Sequence, residues 1–475
     1  MSADRPINAD VPATDPAAAA REPRQAAAGP TPQAPAKPAP SEAAGKAPPP
    51  TAPKSPPPPP RKRRCRQPIP GALKGIAALV VVAIAFIVVA VIGGSGGAKS
   101  DSGSAGPAPA SAPPANGRSA EAAATQTSEQ LGYPAFATGN TTRIGGSDPA
   151  TNAAAVALAV FPSTTPAQQP AAVTLVGEDD WAGGNAAAVL MAAPVRAPIL
   201  ISGADDLPDP TSAALAALDP RGNGSTGGAA AFAVGDVATP DSGKVTRVKA
   251  GNPAAEAAAI ARLRDRLFGS APAHFLIVPS GHPDLAMPAA AWAARSGDPV
   301  LYAEGDELPK PTAAALRRHE NVPVYVLGPS SAISSKAFRA IAAVGGDVHR
   351  VAGEDAVANA IAFARYADGN FGWNINDPGH GFVLGRDDSP LDAAAAAPLS
   401  ASGTWGPLLL TDDATTLPAT LREYFLDVKP GYTTNPTRAF YNHVWVIGDQ
   451  EAIDVTQQAE VNELAELAKI GGGGG

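Results

Sequence analysis

The chain has few of the residues on which most enzymes and disulfide-held domains depend. It has one cysteine, Cys65, among 475 residues, and aromatic side chains make up only 5% of it. A single cysteine excludes intrachain disulfides and cysteine-rich zinc sites. The domains that follow must therefore be held together by apolar burial.

Recognisable catalytic and cofactor motifs are also missing. The six histidines are scattered, without His-x-His or His-Glu-x-x-His spacing, so they do not predict a zinc site. No Gly-x-Ser-x-Gly nucleophile elbow occurs, and no Gly-x-Gly-x-x-Gly turn follows a predicted strand, which leaves a serine hydrolase or a dinucleotide site unsupported. The sequence predicts a protein that is not an enzyme and has no metal or cofactor.

Basic side chains are scarce beyond the first 74 residues. That segment carries 12 Lys or Arg and 5 Asp or Glu, a net charge of +7, so a chain of net charge -8 leaves -15 on residues 75–475. Nucleic-acid binding depends on neutralising phosphates with Lys and Arg. The charge therefore excludes DNA or RNA as a partner of the acidic part.

Residues 1–70 are predicted to be a disordered cytoplasmic tail. They are mostly Ala and Pro, with the run Pro56–Pro60, and they end in a basic cluster from Arg61 to Arg66. Such a composition buries too little apolar surface to fold. The tail is either simply solvated or docks, as proline-rich segments do, into a groove of a cytoplasmic partner.

Residues 71–94 are predicted to form one transmembrane helix. Their centre, Gly75–Ile92, runs 18 residues without a charged side chain, and with its flanks this is long enough to cross a bilayer. The preceding basic cluster stays in the cytoplasm by the positive-inside rule. The sequence thus predicts a signal-anchor protein of the cell membrane, with its amino terminus inside and the rest of the chain outside.

Residues 95–136 are predicted to be a flexible linker, because they are rich in Gly, Ser, Ala and Pro. A linker of this length has a root-mean-square reach of about 35 Å and a fully drawn-out length of roughly 130 Å. It can therefore hold a folded head well away from the membrane. The glycine run 471–475 is predicted to be disordered.

A strand-and-turn pattern recurs three times in residues 137–470. The copies are Pro198–Pro208, Pro299–Pro309 and Pro407–Pro418, and each is an aliphatic strand followed by an acidic turn and a Leu-Pro pair. Around them, short apolar strands alternate with Ala-rich helical runs. Consecutive apolar positions favour strands covered on both faces, and helical crossovers imply parallel sheets. We expect an α/β fold of three tandem Rossmann-like units, at 137–241, 242–345 and 346–470.

Two sets of charged residues are candidate ligand-binding positions. Ligands of open parallel sheets bind beyond the carboxyl ends of strands, which places the acidic turns there, where they can bind Ca²⁺ or sugar hydroxyls. Aspartate also simply favours turns. One arginine begins each unit, and it either clamps an anionic polymer or locks neighbouring repeats together. The candidates are Asp205, Asp206, Asp306, Asp412, Asp413, Arg143, Arg247 and Arg350.

These repeats resemble the cell wall binding repeat 2 family of bacterial surface proteins. The resemblance covers about residues 137–455, from Arg143-Ile144-Gly145-Gly146 through Pro198-Ile199-Leu200-Ile201 and its two echoes. The phrases Ala137–Gly146 and Asn435–Trp445 resemble the high-GC bacterial branch. The resemblance implies three units packed about a pseudo-threefold axis, which bind wall polymers through residues near the Pro-aliphatic motif.

The sequence predicts a membrane-anchored surface protein whose head, outside in the wall, binds a cell-wall glycopolymer or a peptidoglycan-associated polymer. The head would then link the membrane to the wall. The alternative is a scaffold or sensor that binds a protein partner through the head or the proline-rich tail. A wall hydrolase is disfavoured, because the sequence shows no nucleophile, base or metal spacing.

Overall fold

The computed structural model of this protein describes residues 137–249 and 251–470. The predicted cytoplasmic tail, transmembrane helix, linker and glycine run lie outside the described residues. Within the described part, none of the helices has both the length and the apolar character needed to cross a membrane.

The described chain contains fourteen strands, nearly all of them four to six residues long and parallel to their neighbours. They are β1 (Thr141–Ile144), β2 (Val173–Gly177), β3 (Ile199–Ser202), β4 (Ala231–Val234), β5 (Val245–Val248), β6 (Phe275–Pro279), β7 (Val300–Ala303), β8 (Val324–Leu327), β9 (Val348–Val351), β10 (Gly381–Arg386), β11 (Leu408–Thr411), β12 (Gly431–Tyr432), β13 (His443–Ile447) and β14 (Ala468–Lys469).

Twelve α-helices connect these strands, together with four short 3₁₀ turns. The helices are α1 (Pro149–Val160), α2 (Trp181–Ala187), α3 (Asp209–Leu218), α4 (Pro253–Phe268), α5 (Pro283–Ala286), α6 (Pro288–Ser296), α7 (Lys310–Arg317), α8 (Ser335–Ala342), α9 (Ala356–Arg365), α10 (Pro390–Ala401), α11 (Ala419–Asp427) and α12 (Val455–Ala465).

The prediction of an α/β fold with short parallel sheets is confirmed. Three four-stranded sheets are present, with strand orders β3-β2-β4-β5, β7-β6-β8-β9 and β1-β13-β10-β11. The Pro-aliphatic strands are β3, β7 and β11, and every residue in them is buried. Helices cover both faces of such strands, which is why their apolar residues are consecutive instead of alternating.

The fourth strand of each sheet comes from an unexpected part of the chain. The predicted units begin at 242 and 346, just before β5 and β9, yet β5 pairs with β4 and β9 pairs with β8. Each of these two sheets therefore takes its last strand from the next sequence unit. The third sheet takes β1, which pairs with β13 in the register Thr141–Val444 to Ile144–Ile447.

The three units meet through Ala-rich helices with small side chains. α10 packs against α6 and α1, and α2 packs against α10 and α4. A Cβ placed on Gly184 of α2 would lie only 3.0 Å from the Cβ of Ala394 in α10. Tyr302 of β7, which is fully buried, donates to the carbonyl of Ala182 in α2 at 2.8 Å. Side chains this small let helix backbones approach closely and leave little room for substitution.

The amino-terminal edge of the second sheet is covered by a segment of the third unit. Phe371 stacks on Tyr325 of β8 with ring centroids 3.5 Å apart. Beside it, the buried His274 contacts Asp298 through Nδ1 at 2.9 Å and Asn370 through Nε2 at 3.2 Å. The segment between α9 and β10 thus closes this edge with aromatic and polar contacts.

Candidate ligand cavity at the carboxyl edge of the first sheet

The strand order of the first sheet creates a crevice between β2 and β4. The chain passes from β2 to β3 on one side and then crosses to β4 on the other, so the connections diverge at the carboxyl ends of β2 and β4. Ligands of open α/β sheets bind at such a switch point. A cavity of 520 Å³ lies there, lined by Gly177–Asp180, Ser202–Ala204, Val234–Val237, Gly251–Pro253 and Glu256.

Five carboxylates line this cavity: Glu178, Asp179, Asp180, Asp236 and Glu256. Glu178 and Asp179 are exposed. Asp180 caps α2 by accepting the backbone N–H of Gly183 at 2.8 Å, and Asp236 pairs with Lys249 at 2.7 Å. A Cβ at position 183 would lie 2.1 Å from Oδ2 of Asp180, so a side chain there would displace the capping carboxylate.

Glu256 is the buried member of this set, with 6% of its surface exposed. It lies in the first turn of α4, which Asn252 caps. Burial, followed by the charge of Asp180, raises the pKa of Glu256 to about 8. At neutral pH its carboxyl therefore favours the protonated form, in which it donates to Asp180.

The helices that follow the fourth strands of the other two sheets, α1 and α9, have asparagine at the position of Glu256, four residues after the helix cap. Asn152 accepts the N–H of Gly146 at 2.7 Å and donates to Oδ1 of Asp392 at 2.8 Å. Asn359 accepts the N–H of Gly353 at 3.2 Å and donates to the carbonyl of Leu285 at 3.0 Å. An amide can satisfy a donor and an acceptor at once, so the hydrogen bonds at these two junctions are complementary.

The third unit has a smaller cavity at the corresponding place, of 270 Å³. Its lining includes Asp388, paired with Arg386 at 2.8 Å, and Asp392. Burial raises the pKa of Asp392 to about 6, and the hydrogen bond from Asn152 opposes that rise. In the second unit the ring of Pro279 occupies the switch point, 3.7 Å from where a Cβ on Gly328 would stand.

The predicted acidic turns lie at three separate corners and are not brought together. Asp205 and Asp206 are exposed next to Ala204, which lines the first cavity. Asp306 lines a shallow groove with Glu307, Lys310 and Lys336. In the turn that holds the exposed pair Asp412 and Asp413, Oδ1 of Asp413 accepts from the backbone N–H groups of Thr415 and Thr416, and these bonds hold its pKa below the ordinary value.

The three predicted arginines occupy one structural position, on the fourth strand of each sheet. Each donates to backbone carbonyls in the loop after the third strand: Arg143 to those of Gly448, Asp449 and Ile453, Arg247 to that of Val237, and Arg350 to those of Gly328 and Ile333. Arg143 is also buried and donates to Gln458 at 3.1 Å. These contacts fix the fourth strand of each sheet to the loop that follows the third strand.

Sequence reasoning missed the carboxylates of the first cavity. Glu178–Asp180 directly follow the apolar strand β2, so the same rule that selected the acidic turns could have selected them. Glu256 was detectable as the one repeat position at which Asn is replaced by Glu. Whether the acidic turns bind Ca²⁺ was left open by the sequence. Across residues 137–249 and 251–470, no group of three or more His, Cys, Asp or Glu could hold a metal ion.

Two stretches of the chain match a known protein family. Residues 247–338 and 350–457 match the family model described as Cell wall binding domain 2 (CWB2). The first unit lies outside this match. Among curated proteins, no match was found.

Two solved structures have the same fold. Cwp6 from Clostridium difficile is 20% identical over 69% of this chain and 48% of its own, with a TM-score of 0.55. Cwp8 from the same organism is 21% identical over 73% of this chain and 54% of its own, with a TM-score of 0.53. The chain thus spans about half the length of these proteins, and at this identity the likeness is one of fold. Residues 247–338 and 350–457 match a cell-wall-binding family, and the chain shares the fold of Cwp6 and Cwp8.

Proposed function

We propose that this protein is a single-pass surface protein whose three-unit head binds a cell-wall glycopolymer and links the membrane to the wall. The family match of residues 247–338 and 350–457 supports wall binding. The apolar run Gly75–Ile92, with the basic cluster before it, supports the membrane anchor and its orientation. The recurrence of one strand order in three sheets supports a pseudo-threefold head.

The observation that carries the proposal is the carboxylate cavity between β2 and β4. Sugar hydroxyls both donate and accept hydrogen bonds, and they are bound by acceptors and donors in close proximity. Glu178 and Asp179 supply acceptors at the mouth, and the protonated carboxyl of Glu256, bonded to Asp180, lies behind them. The chemistry of this cavity therefore suits a hydroxyl-rich, uncharged sugar.

The predicted ligand-binding residues have unequal parts in this proposal. Asp205 and Asp206 adjoin the cavity, so we place them at its rim as further acceptors for sugar hydroxyls. Asp306, Asp412 and Asp413 would make outlying contacts with a polymer that extends over the head. The arginines hold the loops that carry the cavity walls.

Sedimentation with purified cell walls tests the proposal. The full chain, purified in mild detergent, should pellet with walls of the source organism and stay in solution without them. The double variant Glu178→Ala/Asp179→Ala removes two acceptors from the cavity mouth. We expect its apparent Kd for walls to rise on the order of a hundredfold, because each hydrogen bond to a charged acceptor contributes about 1.5 kcal/mol.

A matched control is Glu320→Ala, which removes an exposed carboxylate far from the cavity and should leave pelleting unchanged. If the wild-type chain does not pellet with native walls, the proposal is wrong. If the wild type and the double variant pellet equally, wall binding stands and the cavity is not its site.

A further inference from the structure

The exposed large hydrophobic side chains of the head are concentrated at one place. Six such side chains are exposed in the described part of the chain, and five of them belong to the third unit's amino-terminal edge. We call these five the amino-edge patch: Trp405, Leu426, Phe440, Tyr441 and Ile470. The sixth, Val455, begins α12 near the opposite edge. Contiguous patches of exposed apolar side chains on a protein surface mark interaction sites.

Short backbone contacts bring the members of the patch together. Gly379 and Gly381 come just before and at the start of β10. The Cβ of Phe440 lies 2.8 Å from where a Cβ on Gly379 would stand, and the carbonyl oxygen of Thr404 lies 2.6 Å from the same point on Gly381. Phe440 and Trp405 therefore flank a segment whose Cα atoms span at most about 7.6 Å.

The remaining members join the same loops. Leu426 is in the last turn of α11, and the carbonyl of Val428 just after it accepts from Asn442, the residue that follows Tyr441. Ile470 packs against Gly431, whose strand β12 leads into the loop that carries Phe440. The loops that carry the five side chains are therefore neighbours at this edge.

The aromatic side chains of the patch stay exposed because neighbouring residues hold their loops in position. Trp405 is 55% exposed and has a backbone φ of +58°, a conformation that bulky residues rarely adopt. Arg295 of the second unit donates to its carbonyl oxygen at 2.6 Å and fixes the loop. Phe440 is 69% exposed although the equivalent edge of the second sheet is closed by Phe371. The third edge has aromatic side chains without such a cover among the described residues.

Several basic side chains border the patch. Arg438 and Lys469 are exposed beside Phe440 and Ile470, and Lys429 lies between them with its ammonium on the carbonyl of Glu463. Of the nearby carboxylates, Asp427 is paired with Arg365 and Asp377 with His380, while Glu463 and Glu466 are exposed at the carboxyl end of α12. Aromatic and aliphatic tips with Lys and Arg beside them are found on surfaces that rest on anionic lipid headgroups.

The chain enters the head at this same edge. Ala137 bridges to Thr142 and Asn140 accepts from Val444, both beside the first residues of β1 and β13. Everything before residue 137, including the proposed anchor at 71–94, is therefore joined to the head next to the patch. A tether of about 40 residues keeps the local lipid concentration in the millimolar range, so weak contacts suffice for binding.

We propose that the amino-edge patch docks reversibly on the anionic lipid surface of the membrane in which the protein is anchored. Trp405, Phe440 and Tyr441 enter the headgroup region while Arg438 and Lys469 contact anionic headgroups. This inference rests on the membrane anchoring under the proposed function. It gives the head two positions, one on the membrane and one extended into the wall.

Fluorescence quenching by brominated lipid tests the docking. The full chain is reconstituted into vesicles of phosphatidylcholine and phosphatidylglycerol that carry bromine on their acyl chains. Trp405 is the one exposed tryptophan among the described residues, so we expect tryptophan quenching in the wild type and at least a twofold loss of it in Trp405→Phe. Arg438→Glu/Lys469→Glu should reduce quenching as strongly, and so should replacing phosphatidylglycerol by phosphatidylcholine.

Val455→Ser is the matched control, since it removes an exposed aliphatic side chain at the opposite edge and should not change quenching. Equal quenching in the wild type and Trp405→Phe overturns the docking. So does a wild type without quenching whose wall pelleting is lost in Trp405→Ala, an outcome that would assign the patch to the wall polymer. Loss of the wild type from vesicles in alkaline carbonate would instead contradict the anchor itself.

Discussion

The cavities at the first and third sheets occupy the same place in the fold but have opposite chemistry at their base. At the third sheet Asn152 donates to Asp392, and a buried carboxylate has an amide partner. At the first sheet Glu256 faces Asp180, so two carboxyl groups meet at the position of that complementary pair. The backbone of the repeat is thus the same at both sheets. The junction at the first sheet is less stable, and it leaves a cavity that is large enough for a ligand and contains a carboxyl group that binds a proton.

The largest effect should come from making the cavity of the third sheet resemble that of the first. Asn152→Asp removes the donor to Asp392 and adds a second buried carboxyl group. Leaving a buried charge without its partner costs on the order of 3–5 kcal/mol. We expect a loss of that order in the free energy of unfolding at pH 8, measured by urea denaturation.

The loss should shrink as the pH falls toward 4, because both carboxyl groups then take up protons. A destabilisation that is the same at pH 4 and pH 8 would show that lost packing, and not charge, is its cause.

The converse change, Glu256→Gln, should stabilise the protein at high pH. The pKa of Glu256 is raised from 4.5 to about 8 in the folded state, so its burial penalty is absent below pH 4.5 and complete above pH 8. The gain should therefore grow between these limits to several kcal/mol, because each unit of the rise in pKa corresponds to about 1.4 kcal/mol. Stability curves of wild type and variant that stay parallel across this range would contradict the pKa assignment.

The smallest effect should come from Asp180→Asn. Asparagine caps a helix as well as aspartate, so the bond to Gly183 is kept while the charge beside Glu256 is removed. Burial, the larger cause of the raised pKa, remains. We expect the free energy of unfolding to rise at pH 8 by less than in Glu256→Gln, and not to change at pH 4. A gain at pH 8 equal to that of Glu256→Gln would mean that Asp180, and not burial, dominates.

The sequence was enough to predict the parts of the fold that depend on local patterns. Consecutive apolar residues located β3, β7 and β11, and Ala-rich runs located the helices between them. It did not predict that β5 and β9 complete the sheets of the preceding units, because strand partners are chosen by packing over long distances and not by local propensity.

The candidate site was predicted less well, for a similar reason. Asp205 and Asp206 lie beside the cavity, but Glu256 reaches it from α4, some 50 residues later in the chain. Only the crossover of the chain from β3 to β4 brings these groups together. The arginines were recognisable as a repeated position, whereas their contacts with loop carbonyls could be seen only in three dimensions.

The pairing of β1 with β13 has a consequence for how the protein reaches its native state. The two strands are separated by about 300 residues, so β1 is synthesised early and has no partner until the end of the head has emerged. Contacts of such high sequence separation form slowly, because a long loop must close before they stabilise anything. Closure of the third sheet should thus be the last and slowest step in folding, with β1 and the edge of β13 exposed until it is complete.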